Sequence, residues 1–361
     1  MADIKRKKVV FIINNLGMGG AENMLFEQVR AIDKSRFKPY IVTILPNPKT
    51  NILSRLPSDV KYLEILNFYK LWLFLRQEKI YAVVTSLFDS NLYGRIAAIL
   101  AGVPVILSSE LNVSEGKHRW QIVADKLLAR FTKKILVSSN EVLEFTSKQE
   151  GLPKSKFELN FNAIPLKLGE IKKNRNQVLA KFGLPEEMVY IVTAGSLTPQ
   201  KGQACFIDAV YELKQHGTSG FKVLIFGKGV LKDELTGQIE RLDLTQEIQF
   251  TGLAPIEDIM AISDIFTLPS LWEGLSIALL NAMDAGCPIV ATKISGTNEA
   301  LENEVSALLV NPGESSELAT ALGRLLADKD LGRRLGSGAK EQVKKFSIEK
   351  NVKVIENLIW P

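Results

Sequence analysis

Three polar residues open the chemical reading of this chain. In "PSLWEGLSIALLNAMDAGCPIVAT" (269–292), Glu273 precedes a glycine at the mouth of an apolar helical pattern, and Asn281 stands eight positions later inside it. A carboxylate on a tight turn can orient hydroxyls or face a developing positive charge, whereas an amide hydrogen-bonds without adding charge. Lys201 lies in "AGSLTPQKGQ" (194–203), where Thr198 and Pro199 start a turn and a helix begins near Gly202. A lysine there can neutralise a diphosphate while the helix N-terminus adds partial positive charge. The plainer alternative is a solvated surface lysine.

A second anion-binding candidate is "NNLGMGGAEN" (14–23), in which Gly17, Gly19 and Gly20 remove side chains at the start of a helix. Backbone N–H groups could then approach a phosphate, or the stretch is a tight strand-to-helix turn. A dinucleotide fingerprint would need a third glycine where Glu22 stands, and "FGKGVLK" (226–232) has Lys232 at the corresponding place. Nicotinamide chemistry is therefore disfavoured. The "DKD" at 328–330 lies in a polar helical region away from any strand end. His118 and His216 make neither a zinc site nor a nucleophile triad.

The elements that must carry these residues alternate along the chain. Apolar β-branched runs at 9–13, 39–45, 82–86, 103–109 and 134–139 read as strands, with helical patterns at 20–32, 71–79 and 92–102 between them. The alternation pauses at 166–187 and restarts with strands at 189–196, 222–227, 248–252, 265–270 and 288–292. Continuous apolar strands separated by helices predict parallel sheets covered on both faces. Two doubly wound domains follow, 1–165 and 188–345, joined by a linker at 166–187. Facing domains of this kind predict a ligand cleft at the carboxyl ends of their strands.

Composition bounds the rest. The 361 residues are 46% hydrophobic and 24% charged, as in a globular protein. The two cysteines, Cys205 and Cys287, cannot build a disulfide framework, which favours a reducing compartment. "KRKKVVFII" imitates a signal peptide but is too short in apolar residues, and no run reaches the roughly 18 needed to span a bilayer. Residues 1–165 hold 24 Lys and Arg against 15 Asp and Glu, a net of +9, while the remainder is net −4. The two halves should meet different partners.

Six motifs occur in one order: "NLGMGGAE", "GSLTPQKG", "FGKG", "FTG", "LPSLWEGLSIALLNAMDAGCPIVAT" and "GTNEAL". Together they resemble the retaining, family 4 nucleotide-sugar glycosyltransferases of the GT-B fold, over essentially the whole chain and most closely in 190–300. "NLYGRIAAILAGVPVILSSELN" (91–112) looks like the acceptor domain of bacterial members that build lipid-linked or cell-surface glycans. The resemblance implies an α/β protein of two Rossmann-like domains, with the C-terminal helix, within 346–361, returning to the first. It also implies hexosyl or N-acetylhexosaminyl transfer from a nucleotide-diphosphate sugar, UDP-sugar favoured, on the cytoplasmic face of a membrane. No cofactor, metal or nucleic acid is expected.

Residue by residue, the resemblance implies that Gly19 and Gly20 approach the donor diphosphate and that Lys201 holds its β-phosphate. Gly227 to Gly229 would line the nucleotide pocket, with Phe250 and Thr251 near the base. Glu273 would lie beside the transferred sugar without neutralising Lys201, and the N–H groups of Gly274, Leu275 and Ser276 would reach sugar or phosphate. Lys201 and Glu273 would on this resemblance be the catalytic pair. Glu110, Asn112 and His118 are acceptor-side candidates. Three single residues and one tripeptide depart from the family pattern. Ser196 replaces an arginine, Asn281 a ribose-gripping glutamate, Glu110 a histidine, and Phe161, Asn162 and Ala163 a Pro-Asn-Gly. The alternative function is accordingly a GT-B protein that binds nucleotide or glycan as a non-catalytic partner subunit.

Membrane contact is the last expectation. "FYKLWLFLRQEK" (68–79) sets Phe68, Leu71, Trp72 and Leu75 on one helical face beside Lys70 and Arg76, and "GKHRWQIVADKLLARFTKK" (116–134) adds Trp120 and six basic residues. Either could dock on anionic lipid, with Lys117, Arg119, Lys126 and Arg130 supplying charge. The first could equally pack on the sheet.

Overall fold

The computed structural model describes residues 6–17, 19–49, 51–114, 116–168 and 173–361. Met18 of the first glycine-rich turn and 169–172 of the expected linker lie outside the described residues.

The chain divides into two compact units, Met1–Pro165 with Phe346–Pro361, and Leu166–Lys345. The first runs β1 (Lys7–Ile13), α1 (Gly20–Ala31), β2 (Phe37–Thr43), β3 (Lys61–Glu64), α2 (Phe68–Gln77), β4 (Ala82–Ser86), α3 (Arg95–Ala101), β5 (Val105–Glu110), α4 (Arg119–Leu128), β6 (Lys134–Val137), α5 (Asn140–Glu150) and β7 (Phe157–Leu159). The second opens on α6 (Arg175–Lys181) and continues β8 (Val189–Ala194), α7 (Gln203–Gln215), β9 (Phe221–Phe226), α8 (Lys232–Arg241), β10 (Ile248–Gly252) and α9 (Ile256–Ile262). It ends with β11 (Ile265–Leu268), α10 (Ile277–Ala285), β12 (Ile289–Thr292), α11 (Ser295–Ala300), β13 (Leu308–Val310), α12 (Ser315–Ala327) and α13 (Lys329–Gln342). Helix α14 (Ile348–Ile359) belongs to the first unit and packs on α1.

Each unit is built on one parallel sheet, in the order β3-β2-β1-β4-β5-β6-β7 and β10-β9-β8-β11-β12-β13. The central strands are buried on both faces: Val9 to Ile13 of β1 are at most 1% exposed. Burial of such side chains contributes roughly 1.5–3 kcal/mol each, which is why they read as unbroken apolar runs. In both sheets the strand order reverses once, between β1 and β4 and between β8 and β11. Loops leaving the carboxyl ends of strands at such a switch point are where open α/β sheets bind ligands.

Two expectations need correction. The stretch 166–187 contains α6, whose Val178 and Leu179 are buried and which packs on α9; Asp284 accepts the backbone N–H groups of Lys167 and Leu168 at 2.8 and 2.7 Å. Its described part belongs to the second unit. A short helix between longer polar stretches gave no strand signal and so looked like a connector. In α2, Leu71 and Leu75 sit inside the first unit's core with Trp72 and Phe74 packed against them. Leu71 and Leu75 are thereby closed to lipid, whereas Phe68 at the start of the same face is 41% exposed.

Candidate active site

The second unit's switch point brings the predicted pair together. After β8 the chain forms a short 3-10 turn, Pro199–Lys201, and leaves it through Gly202 at φ 63°. A Cβ on Gly202 would overlap the Pro269 carbonyl, and Leu271 N donates to Gln200 O at 2.8 Å. The β8 and β11 loops are thus stitched backbone to backbone, which only glycine at 202 permits. This seam sets Lys201 opposite Glu273, and the Lys201 Nζ forms an ion pair with Glu273 Oε1. Glu273 Oε2 accepts from Ser270 Oγ at 2.9 Å, and Ser270 is held in turn through its carbonyl by Thr292 Oγ1 at 2.6 Å. The Lys201 and Glu273 side chains are only 14% and 11% exposed.

This corrects one sequence reading. Glu273 does neutralise Lys201 in this state, because a largely buried ammonium with a carboxylate in reach pairs with it rather than stay desolvated and alone. Beside the pair, Ser276 caps α10 by accepting from Leu279 N. The α10 N-terminus, with Gly274, Leu275 and Ser276, therefore adds partial positive charge next to Lys201. An ammonium, a helix N-terminus and a carboxylate at one strand-end seam suit a phosphorylated ligand that also carries hydroxyls.

The other predicted donor residues occupy neighbouring loops. Gly227, at φ 149°, cannot carry a Cβ without overlapping the Gly195 carbonyl, and Leu197 N donates to Lys228 O at 3.0 Å. Gly227 and Gly229 thereby pack the β9 loop onto the β8 loop, a structural task sufficient to require glycine. Phe250 packs against the second unit's core, and Thr251 Oγ1 donates to Ile225 O at 3.2 Å. Ser196 is exposed, with its hydroxyl 3.4 Å from Thr198 Oγ1, so no guanidinium-like charge stands there. Asn281 is 9% exposed and spends its amide N–H on the Ile277 carbonyl at 2.7 Å. Its oxygen and the second hydrogen of the amide can still meet a ligand hydroxyl.

In the first unit, Gly19 is the N-cap of α1 and Gly20 its first residue. Glu22 folds back close to Gly19, and burial raises its carboxyl above the usual range. Glu110 ends β5 and is bonded by Asn91 Nδ2 at 3.0 Å. Asn112 is exposed in the following loop, and His118 starts α4, where its backbone N–H donates to Gln121 Oε1 at 2.6 Å. Asp328 of the "DKD" run caps α13 through Asp330 N and Leu331 N, a structural use of that motif.

Sequence reasoning missed two groups. Ser270, three residues before Glu273, gave no signal apart from that proximity. The β1–β4 switch point was also missed: Asn14 Nδ2 donates to Asp89 Oδ2 at 2.9 Å and its oxygen accepts from Ser90 Oγ at 2.8 Å. Lys117 is withdrawn from the lipid-facing set, since its side chain is 7% exposed and surrounded by carboxylates. By contrast Trp120, Val123, Leu127 and Phe131 are 52–61% exposed along α4 and its extension.

Comparison with known proteins extends this description. Residues 174–342 match the family model described as "Glycosyl transferases group 1". The chain is 28% identical over 314 residues to the UDP-Gal:alpha-D-GlcNAc-diphosphoundecaprenol alpha-1,3-galactosyltransferase of Escherichia coli, covering 83% of this chain and 79% of that one. It is 25% identical over 368 residues to the N-acetylgalactosamine-N,N'-diacetylbacillosaminyl-diphospho-undecaprenol 4-alpha-N-acetylgalactosaminyltransferase of Campylobacter jejuni, covering 94% and 96%. Among solved structures it superposes on Anabaena HepE in complex with UDP and glucose at TM-score 0.85 and 20% identity, covering 98% and 99% of the two chains. WaaG, a glycosyltransferase involved in lipopolysaccharide biosynthesis, gives 0.76 and 16%, covering 98% and 99%. The shared fold is GT-B.

Proposed function

We propose that this chain, a GT-B protein whose second unit is a group 1 glycosyl transferase domain, is a retaining enzyme that moves a hexosyl or N-acetylhexosaminyl residue from a UDP-sugar to a lipid-linked or surface-glycan acceptor. The second unit takes the donor and the first takes the acceptor. The observation that carries the reading is the Lys201–Glu273 pair beside the α10 N-terminus.

In this mechanism the bond between C1 of the sugar and the diphosphate breaks, and its electron pair leaves with UDP. Lys201 and the α10 N-terminus stabilise that leaving group, and Glu273, released from Lys201 by the arriving phosphate, faces the electron-poor sugar. An acceptor hydroxyl forms the new bond on the same face and gives its proton to the departing diphosphate oxygen. No step assigned to these residues calls for a metal. Phe250, Thr251 and the Gly227–Gly229 loop border the nucleotide, Asn281 accepts from a ribose hydroxyl, and Gly19 and Gly20 approach the diphosphate. Glu110, Asn112 and His118 meet the acceptor. The undecaprenol-linked substrates named for the two relatives support a lipid-linked acceptor, and the HepE complexes support a uridine nucleotide.

A thermal-shift series with UDP, GDP and ADP in EDTA, followed by UDP release from UDP-sugars with an undecaprenyl-diphosphate-sugar acceptor, tests the reading. Stabilisation by UDP and acceptor-dependent release are expected. Stabilisation by GDP or ADP alone would overturn the base assignment. The exposed Ser196 and the self-bonded Asn281 favour a second reading, a partner subunit that binds nucleotide without transfer. UDP binding without release in any acceptor panel, restored by Ser196→Arg with Asn281→Glu, would establish it.

A further inference from the structure

The first unit buries five charged side chains in one cluster. Lys117 Nζ lies 2.9 Å from Asp125 Oδ2, 3.0 Å from Glu150 Oε1 and 3.4 Å from Glu110 Oε2. Arg95 pairs with the other oxygen of Asp125 and donates its Nε to the Asn91 carbonyl. The groups come from α3, β5, the loop after β5, α4 and α5, with Lys126 of α4 approaching Gly151 just beyond Glu150. The three carboxylates converge within 4.8 Å, as a metal ligand set would, but the cation among them is the Lys117 ammonium.

Geometry separates the members. Arg95, Asp125, Glu150 and Lys117 have side chains 2–7% exposed, while Glu110 is 13% exposed and stands at the carboxyl end of β5. Both Glu110 oxygens are held by donors, Oε1 by Asn91 and Oε2 by Lys117, and a carboxylate so held keeps lone pairs for a further donor. The loop between Glu110 and α4 is tied to α5 twice, by Lys117 to Glu150 and by Gln149 Nε2 to the Ser114 carbonyl at 3.0 Å.

We propose that Lys117 is a positioning residue for the acceptor. Its ammonium draws the 111–118 loop onto α4 and α5 and aims the Glu110 carboxylate at a hydroxyl of a glycosyl acceptor. This rests on the reading of the first unit as the acceptor unit. Charge balance gives the device a pH dependence: three carboxylates face two cations, so the buried cluster keeps one proton. Burial raises Glu150 to about 7 and raises Glu110 as well, and the carboxylates together raise Lys117. Glu150 is an acid whose folded value lies above its ordinary one, so its proton is retained below about pH 7 and lost above it. Ionised Glu150 then attracts the Lys117 ammonium more strongly, so the hold on the loop tightens above about pH 7.

The test pairs kinetics with amide hydrogen exchange on the full chain. Lys117→Met should raise the acceptor KM at least tenfold and leave the donor KM and the UDP Kd within twofold. Exchange in 111–118 should rise at least tenfold. In the wild type, acceptor kcat/KM should rise as pH passes 7, and Glu150→Gln should remove that rise. If Lys117→Met does not fold, Lys117→Met with Glu150→Gln, which removes one charge of each sign, replaces it, and Lys117→Arg should restore acceptor KM. Should the wild type transfer nothing, the transfer reading fails alone, and the exchange comparison still judges the positioning role. Unchanged exchange in 111–118, or equal losses for donor and acceptor, would overturn the proposal.

Discussion

Lys201 and Glu273 are 72 positions apart in the chain and form a direct ion pair at the carboxyl ends of β8 and β11. In the proposed mechanism a diphosphate arriving at Lys201 competes with the carboxylate for the same ammonium. Donor binding and the release of Glu273 toward the sugar are therefore one event in the proposed mechanism. Removing either partner should have opposite effects on affinity.

Lys201→Ala should weaken UDP binding about 10- to 100-fold, the scale of a charged hydrogen bond of about 1.5–3 kcal/mol. Glu273→Gln frees the ammonium, so UDP affinity should hold or rise while kcat drops roughly 10²-fold or more. Calorimetric titration with UDP and initial rates read the two effects separately. Parallel losses of affinity in both variants would mean the pair is a structural clamp.

The seam beneath that pair has its own test. Gly202→Ala places a Cβ against the Pro269 carbonyl at a left-handed φ of 63°, whereas Gly217→Ala, at φ 78°, adds one in open space. The second should cost only the backbone term of about 1–2 kcal/mol. Gly202→Ala should lower the melting temperature clearly more and should also weaken UDP binding, since Lys201 is its neighbour. Scanning calorimetry with and without UDP distinguishes them.

Neither cysteine should react readily in the folded protein. Burial pushes the Cys287 thiol up to about 12 and, with nearby carboxylates, the Cys205 thiol to about 11. Only the thiolate is nucleophilic. At pH 8 a disulfide reagent such as DTNB should label neither within minutes and both after denaturation. Rapid native labelling of Cys287 would contradict its packing beside Ser263.

The α4 surface is the place to test membrane contact. Trp120, Val123, Leu127 and Phe131 are exposed beside exposed Arg119, Lys126 and Arg130. Basic residues near an anionic surface add about 1 kcal/mol each. Co-sedimentation with vesicles containing phosphatidylglycerol should fall with salt, and Trp120→Ser with Phe131→Ser should weaken it while UDP binding is kept. Equal sedimentation of this variant and the wild type would remove α4 from the interface.

Much of this molecule is legible in its sequence because the signals are local. Continuous apolar runs such as Val9–Ile13 must be buried on both faces, and alternation with helical patterns then dictates parallel sheets in two units. The glycines, Lys201 and Glu273 sit where chain reversals after strands must fall. Three edge strands, β3, β7 and β13, escaped because β3 and β7 mix charged residues among their apolar ones and are only partly buried, while β13 is only three residues long.

Tertiary structure alone decided what those local signals leave open. Amphipathic patterns over 68–79 and 116–134 look alike, yet α2 packs its Leu71 and Leu75 into the core while α4 keeps its Trp120 stripe in solvent. Hydrophobic periodicity reports that a face is apolar; which face is covered depends on what the sheet places opposite it. The same holds for charge. Lys117 counts as one more basic residue in the sequence, but folding brings Asp125, Glu150 and Glu110 around it, and Coulomb attraction in a dry interior then fixes its partners.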